Sequence, residues 1–236
     1  MLSIIIPTLN EENYLPGVLT DLKDQDFKDF EIIVSDARST DKTKEIAKDF
    51  GCRVVVSDKE KNHPSIQRNM GANIALGDIL LFLDADTRLP NNEFIKKTLD
   101  DFNKRGLACA SFYLKFESDR FFYKFYYCFY GFFAFLAQYI KPLAVGAGIV
   151  IKKNVHQSIN GFNEDIHIGE DQHYCNEASK IGKFRMIKKE KIFFSIRRFE
   201  KFGRWKLFFK FLYGALYVLL LGPIKKKIVK YDFGEY

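Results

Sequence analysis

Two carboxylates, Asp84 and Asp86, sit two residues apart directly after the apolar run Ile79–Leu83. A run that short and that apolar suits a strand buried on both faces. Unpaired carboxylates at its end are too costly to be core groups. In extended backbone the two side chains turn to the same side. Placed so, they can hold one divalent cation, since Mg²⁺ is commonly bound by one or two carboxylates together with substrate phosphates. The plain alternative is a pair of solvated loop aspartates, and the spacing alone does not exclude it.

Other chemistry-bearing residues fall at comparable places. Asp36 ends the apolar stretch Phe30–Ser35. Glu170 and Asp171 open a helical stretch after Gly169, where acids also satisfy a helix dipole; the functional reading makes Asp171 a general base. His167 and His173 lie nearby as candidate ligands or supporting groups, although lone histidines more often are neither. Arg197 and Arg198 follow an expected strand over 192–196, and two arginines at a strand end can grip phosphate.

The positioning elements alternate. Strands are expected over 2–6, 30–35, 53–56, 79–83, 107–116, 149–151 and 192–196. Helices are expected from Asn10, as N-cap, to about 23, then over 42–49, 65–76, 91–104, 121–140 and 170–180. That order predicts an α/β fold, a mostly parallel sheet with helices on both faces, and ligands at the carboxyl ends of its strands. Asp36 and Asp84 both lie there. The glycines of Val145–Gly148 bring backbone close to a neighbour or ligand. The chain contains no G-x-G-x-x-G or P-loop.

At 236 residues, with 47% hydrophobic content, the chain can bury a substantial core. Its four cysteines have no C-x-x-C spacing, which favours reduced thiols over a zinc site. Met1 leads straight into an apolar strand, unlike a secretory signal, so a cytoplasmic protein is expected. Net charge is +7, yet 15 Lys/Arg and only 2 Asp/Glu fall between Lys183 and Lys230, so the rest of the chain is acidic. Aromatic residues fill the gaps between those cations. A solvated basic face is the bland reading; an anionic membrane surface is the sharper one. The aromatic run 121–140 and the apolar segment 207–224, followed by Lys225-Lys226-Lys227, point to interfacial helices, with an ordinary core helix as the alternative for the first. A span by 121–140 is disfavoured, because that crossing would separate Asp84 and Asp86 from Asp171; a short span over 207–224 is the alternative there, and Lys206 and Lys210 make it a poor one.

Five stretches in register resemble the family 2 glycosyltransferases of GT-A fold: Pro7-Thr8-Leu9-Asn10-Glu11-Glu12, Ser35–Thr43, Arg68-Asn69-Met70-Gly71, Asp84-Ala85-Asp86 and Gly169-Glu170-Asp171. Arg197 to Gly203 is similar to the R-R-x-x-x-x-G of a bacterial and archaeal subgroup, in place of the family's Q-x-x-R-W. The resemblance implies a nucleotide pocket lined by Pro7, Thr8, Asn10 and Glu11. It also implies Asp36 on the base, Arg68 near the diphosphate, Asp84 facing the ribose, Asp86 on Mg²⁺ or Mn²⁺, and Asp171 as the base of an inverting transfer. Gly148, Glu170, Arg197, Arg198 and Trp205 fall to the acceptor or phosphate side.

The expectation is therefore a GT-A domain over 1–205, with a nucleotide-binding half (1–90) and an acceptor half (91–205). A basic, apolar helical extension follows over 206–236. Its partners would be a nucleoside-diphosphate sugar, an acceptor hydroxyl or lipid phosphate, and the inner face of the cell membrane, without nucleic acid. Two rivals stand beside it. A nucleotidyltransferase would want a Gly-rich basic loop after the first strand, which Pro7–Glu12 is not. A non-catalytic membrane-docking module would bind vesicles and transfer nothing.

Overall fold

The computed structural model describes residues 1–59, 62–116, 118, 120–144 and 146–221; Lys225-Lys226-Lys227 lie outside them. Its elements run β1 (Leu2–Thr8), α1 (Leu15–Lys23), β2 (Phe30–Asp36), α2 (Thr43–Asp49), β3 (Arg53–Val56), α3 (Pro64–Ile74), β4 (Ile79–Leu83) and α4 (Phe94–Lys104). Then follow β5 (Cys109–Lys115), α5 (Phe121–Ala137), β6 (Gly148–Lys152), α6 (Lys153–Ser158), α7 (Glu170–Ile181), β7 (Phe184–Phe193), α8 (Arg197–Phe202) and α9 (Arg204–Leu221).

The strands form one seven-stranded sheet in the order β3-β2-β1-β4-β6-β5-β7. β1 is parallel to β2 and β4, β2 to β3, and β5 to β7. β6 runs antiparallel between β4 and β5. All seven residues of β1 are buried, with Ile4, Ile5 and Ile6 at its centre. This is the apolar run expected of a strand covered on both faces. On one side of β4, Phe162 stacks on Tyr174 and both meet Phe82 edge-on.

The antiparallel β6 matters for function. It starts where β4 ends, with Leu83 opposite Gly148. The turn leading into β6 is therefore delivered to the same sheet edge as the exits of β1, β2 and β4. Edges of this kind, beside a strand where the order reverses, are where open α/β sheets bind ligands.

Four local expectations need correction. Asn10 does not cap α1, which starts at Leu15 behind Tyr14 with no side-chain cap. Asn10 instead has φ +55° and bonds across to the β2 exit. Helix α3 ends at Ile74, two residues before the expected end at 76. The seventh strand covers Phe184–Phe193, eight residues earlier in its start than the sequence suggests. Arg197 and Arg198 consequently begin a short helix, α8, instead of ending a strand.

Candidate active site

The floor of the site is a stitched pair of loops leaving β1 and β2. Asp36 is fully buried, and its carboxylate accepts from Thr8 Oγ1 (2.9 Å), Ser39 N (2.8 Å) and Ser39 Oγ (2.5 Å). Asn10 N donates to Ser39 Oγ, and Asn10 Oδ1 accepts from Thr40 N. Glu11 N donates to Thr43 Oγ1, which itself donates to Asp41 Oδ1. These bonds satisfy backbone groups that no ladder or helix serves. They also fix where Glu11 points.

Glu11 is 5% exposed and held by Arg197 through two bonds, Nη1 to Oε2 and Nη2 to Oε1, each 3.0 Å. The fork geometry is the one Arg favours with carboxylates. Nε of the same guanidinium lies 3.0 Å from Asp86 Oδ2, and the group stacks over Tyr14 at 4.3 Å. Burial pushes the Glu11 carboxyl above its usual value, with Arg197 opposing, and burial likewise raises Asp86 against the pull of Arg197 and Arg198. Arg197 gets there because the end of β7 is tied to the loop after β4: Phe193 and Arg88 exchange backbone hydrogen bonds.

A second guanidinium organises the other side. Arg68, on α3, is 2% exposed. Its Nη2 donates to Asp84 Oδ1 (2.9 Å) and its Nη1 to Glu170 Oε1 (3.3 Å). It also reaches the carbonyl of Gly146 (3.4 Å). Gly146 N in turn donates to Asp171 Oδ2 at 2.6 Å, and Gln172 N donates to Asp171 Oδ1 at 2.7 Å. A Cβ on Gly146 would lie 2.6 Å from Arg68 Nη2, so only glycine leaves the guanidinium its place. Burial and the adjacent Glu170 charge push the Asp171 carboxyl up to about 7. A carboxyl poised there suits proton transfer near neutral pH.

The structure thus gathers Glu11, Arg68, Asp84, Asp86, Glu170, Asp171, Arg197 and Arg198 at one edge, with Pro7, Thr8, Asn10 and Asp36 in the loops and strand ends beneath them. Two expected members stand elsewhere. Gly148 faces the core: a Cβ there would fall 2.7 Å from Phe112 and 2.9 Å from Ile192, so its smallness serves packing and not an acceptor. Trp205 lies on α9 among Phe122, Phe125 and Phe208, away from the carboxylates. The sequence marks both glycines of Gly146-Ala147-Gly148 as a close backbone approach but singles out only Gly148 for the site; it gives no sign of Tyr14. The G-x-G pair was the available signal for Gly146. Of the histidines, His173 approaches Glu177 at 4.0 Å and His63 packs edge-on against His167.

Hard oxygen donors are the right chemistry for Mg²⁺ or Mn²⁺. Asp84 and Asp86 act electrostatically on one another and on Glu11. Among the described residues no three His, Cys, Asp or Glu side chains form a metal cluster. The donor set fits a cation that takes its remaining oxygens from a substrate's phosphates.

The glycosyl transferase family 2 model matches residues 3–159. The chain belongs to glycosyl transferase family 2. It is 37% identical over 114 residues to the 4,4'-diaponeurosporenoate glycosyltransferase of Staphylococcus haemolyticus, a match covering 45% of this chain and 30% of that protein. It is also 37% identical over 93 residues to the GalNAc(5)-diNAcBac-PP-undecaprenol beta-1,3-glucosyltransferase of Campylobacter jejuni, covering 37% and 30% respectively. The chain thus spans about 30% of the length of these relatives. Among solved structures, the Pyrobaculum calidifontis mannosyltransferase PcManGT with GDP-Man and Mn²⁺ superposes with a TM-score of 0.71 at 19% identity, covering 94% of this chain and 70% of that one. S. aureus TarS 1-349 with UDP-GlcNAc gives a TM-score of 0.66 at 22% identity, covering 82% and 58%. The fold is that of the GT-A glycosyltransferases.

Proposed function

We propose that the chain transfers a sugar, with inversion, from a nucleoside-diphosphate sugar to the hydroxyl of a lipid-linked acceptor or to a lipid phosphate, at the surface of a membrane. One observation carries the reading. Arg68 ties the acid at the end of β4 to the acid pair at the start of α7, so motifs 86 residues apart, Asp84 and Glu170, share one guanidinium. The relatives and neighbours support it: one relative's name carries a PP-undecaprenol acceptor, and the two structures hold GDP-Man with Mn²⁺ and UDP-GlcNAc.

In this reading residues 1–90 bind the nucleotide and 91–205 present the acceptor. Pro7, Thr8 and Asn10 shape the base pocket; Asp36, expected on the base, is fully buried and bonded to Thr8 and Ser39, so its part is to lock the Ser39 turn beneath that pocket. Asp84 faces the ribose beside Arg68. Asp86, with Asp84, would hold Mg²⁺ or Mn²⁺, whose chemistry is to neutralise the charge growing on the leaving diphosphate. Arg197 and Arg198 would add to that neutralisation, Arg197 by exchanging Glu11 and Asp86 for the diphosphate. Asp171 takes the proton from the attacking hydroxyl. The new bond forms from that oxygen to the anomeric carbon as the bond to the diphosphate oxygen breaks, and the nucleoside diphosphate leaves as the anion. Gly146 N holds Asp171 in place from below.

No helix among the described residues is long and apolar enough to cross a membrane. The exposed faces of α5 and α9 are nonetheless aromatic. Phe121, Phe125, Phe132 and Leu136 recur at helical spacing on α5, and Trp205, Phe209 and Tyr213 on α9. Lys124, Lys206 and Lys210 stand exposed between them. Aromatic side chains set among cations suit the headgroup layer of an anionic membrane. In this reading the chain is peripheral, on the inner face of the cell membrane.

The test is Asp171→Asn. Donor binding, read as a thermal shift with Mn²⁺ and a panel of UDP-, GDP- and dTDP-sugars, should persist. Turnover should fall by about 10²–10⁴. In the native chain, turnover should rise with pH through about 7, as the raised Asp171 carboxyl gives up its proton. Unchanged turnover in the variant removes Asp171 as the base.

A further inference from the structure

We propose that the cleft where α8 meets α9 seats the phosphate of a lipid-linked saccharide; this deepens the transferase reading above and rests on it. The cleft is a shallow depression, wide open to solvent and lined by Phe199, Glu200, Gly203, Arg204 and Trp205. Its cation is Arg204, which is half-buried with its guanidinium 5.9 Å from the Tyr123 ring. Its acid, Glu200, is countered by Arg120 at 4.0 Å. The apolar wall is Trp205, 53% exposed and edge-on to Phe122 at 5.0 Å.

Charge decides between occupants. Arg120, Lys124, Lys201, Arg204, Lys206 and Lys210 surround the exposed aromatic residues, against Glu200 alone among the described acids of α8 and α9. A two-fold contact between copies would set this patch on itself and bring like charges together. An anionic lipid surface complements it.

Position then narrows the substrate class. Helix α8 has six residues, which spans roughly 9 Å. Arg197, on Glu11 and Asp86, is at its start, and Gly203 of the cleft follows its end. A lipid phosphate that was itself the nucleophile would have to sit at Asp86 and Asp171. A phosphate held in the cleft instead leaves room for sugar between it and the reacting hydroxyl. The cleft therefore fits a lipid-linked saccharide, with its phosphate on Arg204, its hydrocarbon along Trp205 and α5, and its hydroxyl directed to Asp171.

The experiment is co-flotation of the full chain with three vesicle sets: phosphatidylcholine alone, phosphatidylcholine with phosphatidylglycerol, and phosphatidylcholine with a polyprenyl-diphosphate-linked monosaccharide matched in surface charge to the second. The native chain should prefer the third. Arg204→Gln should weaken binding to phosphatidylglycerol vesicles about fivefold, the effect of removing any surface cation. For the saccharide-lipid vesicles the loss should be about fiftyfold or more, because charge-assisted hydrogen bonds go with it. Trp205→Ala should lower the third set more than the second. The donor-induced thermal shift reports that both variants stay folded. No preference in the native chain, or an equal loss on both charged sets, overturns the assignment. A concentration-dependent dimer abolished by Phe209→Ser overturns it in favour of a second copy. If the native chain shows no donor shift while the vesicle preference holds, the transferase reading fails and the lipid site does not.

Discussion

The sheet edge and the α5–α8–α9 arm use the same residue types in opposite ways. At the edge, arginine charge is consumed inside the protein: Arg68 answers Asp84 and Glu170, and Arg197 answers Glu11 and Asp86. Aromatic rings there back the guanidinium groups, Phe162 behind Arg68 and Tyr14 behind Arg197. On the arm, aromatic residues make a small buried cluster around Phe116, Tyr123 and Phe199 and then continue onto the surface, with cations exposed among them. One region spends its charge holding shape, and the other offers charge and apolar area to a partner. Stability should therefore be sensitive at the first and nearly indifferent at the second, while membrane binding should show the reverse.

The largest effect expected is at Arg68. Arg68→Ala leaves the half-buried Asp84 and Glu170 without the buried cation they share, and removing one partner of a buried pair costs up to about 3–5 kcal/mol. Urea unfolding would show it, and a change below about 1 kcal/mol would mean the edge is not organised around this group. Gly146→Ala is next. The added methyl must displace the Arg68 guanidinium, and overpacking of that kind costs about 1–3 kcal/mol. It should weaken donor binding as well as lower the unfolding midpoint. The smallest effect on stability, and the largest on vesicle binding, is expected from serine at Phe121 and Phe132, which are 80% and 59% exposed. Their replacement should leave unfolding within about 0.5 kcal/mol and abolish flotation with anionic vesicles. A stability loss at these positions comparable with that at Arg68 would erase the contrast.

How much of this could be read from sequence follows the same division. β1, β2 and β4 are short apolar runs whose burial on both faces needs no knowledge of neighbours. β7 escaped because Lys188-Lys189-Glu190-Lys191 interrupts its apolar pattern. It is the last strand of the sheet, and an edge strand tolerates charge, as Lys188 and Lys189 on its exposed side show. Asn10 obeyed the local rule for a helix cap, but tertiary bonds to Ser39 and Thr40 outbid it. The acids of the site were legible as strand-end and helix-start residues. Their pairing with Arg68 and Arg197 was not, since it depends on α3 and α8 lying over the same edge. The exposed aromatic face was legible in outline, because a 17-residue helix as apolar as α5 has more apolar surface than one sheet face can cover.

The central claim is that Glu11, Asp84 and Asp86 on one side and Glu170 and Asp171 on the other border a single donor site. Calorimetric titration with the cognate nucleoside-diphosphate sugar and Mn²⁺ tests it most directly, comparing the native chain with Asp86→Ala. The account predicts one binding site per chain in the native protein, and in the folded variant an affinity lowered by at least about tenfold with its Mn²⁺ dependence gone. Equal affinity in the two proteins, with Mn²⁺ still required in both, would contradict it.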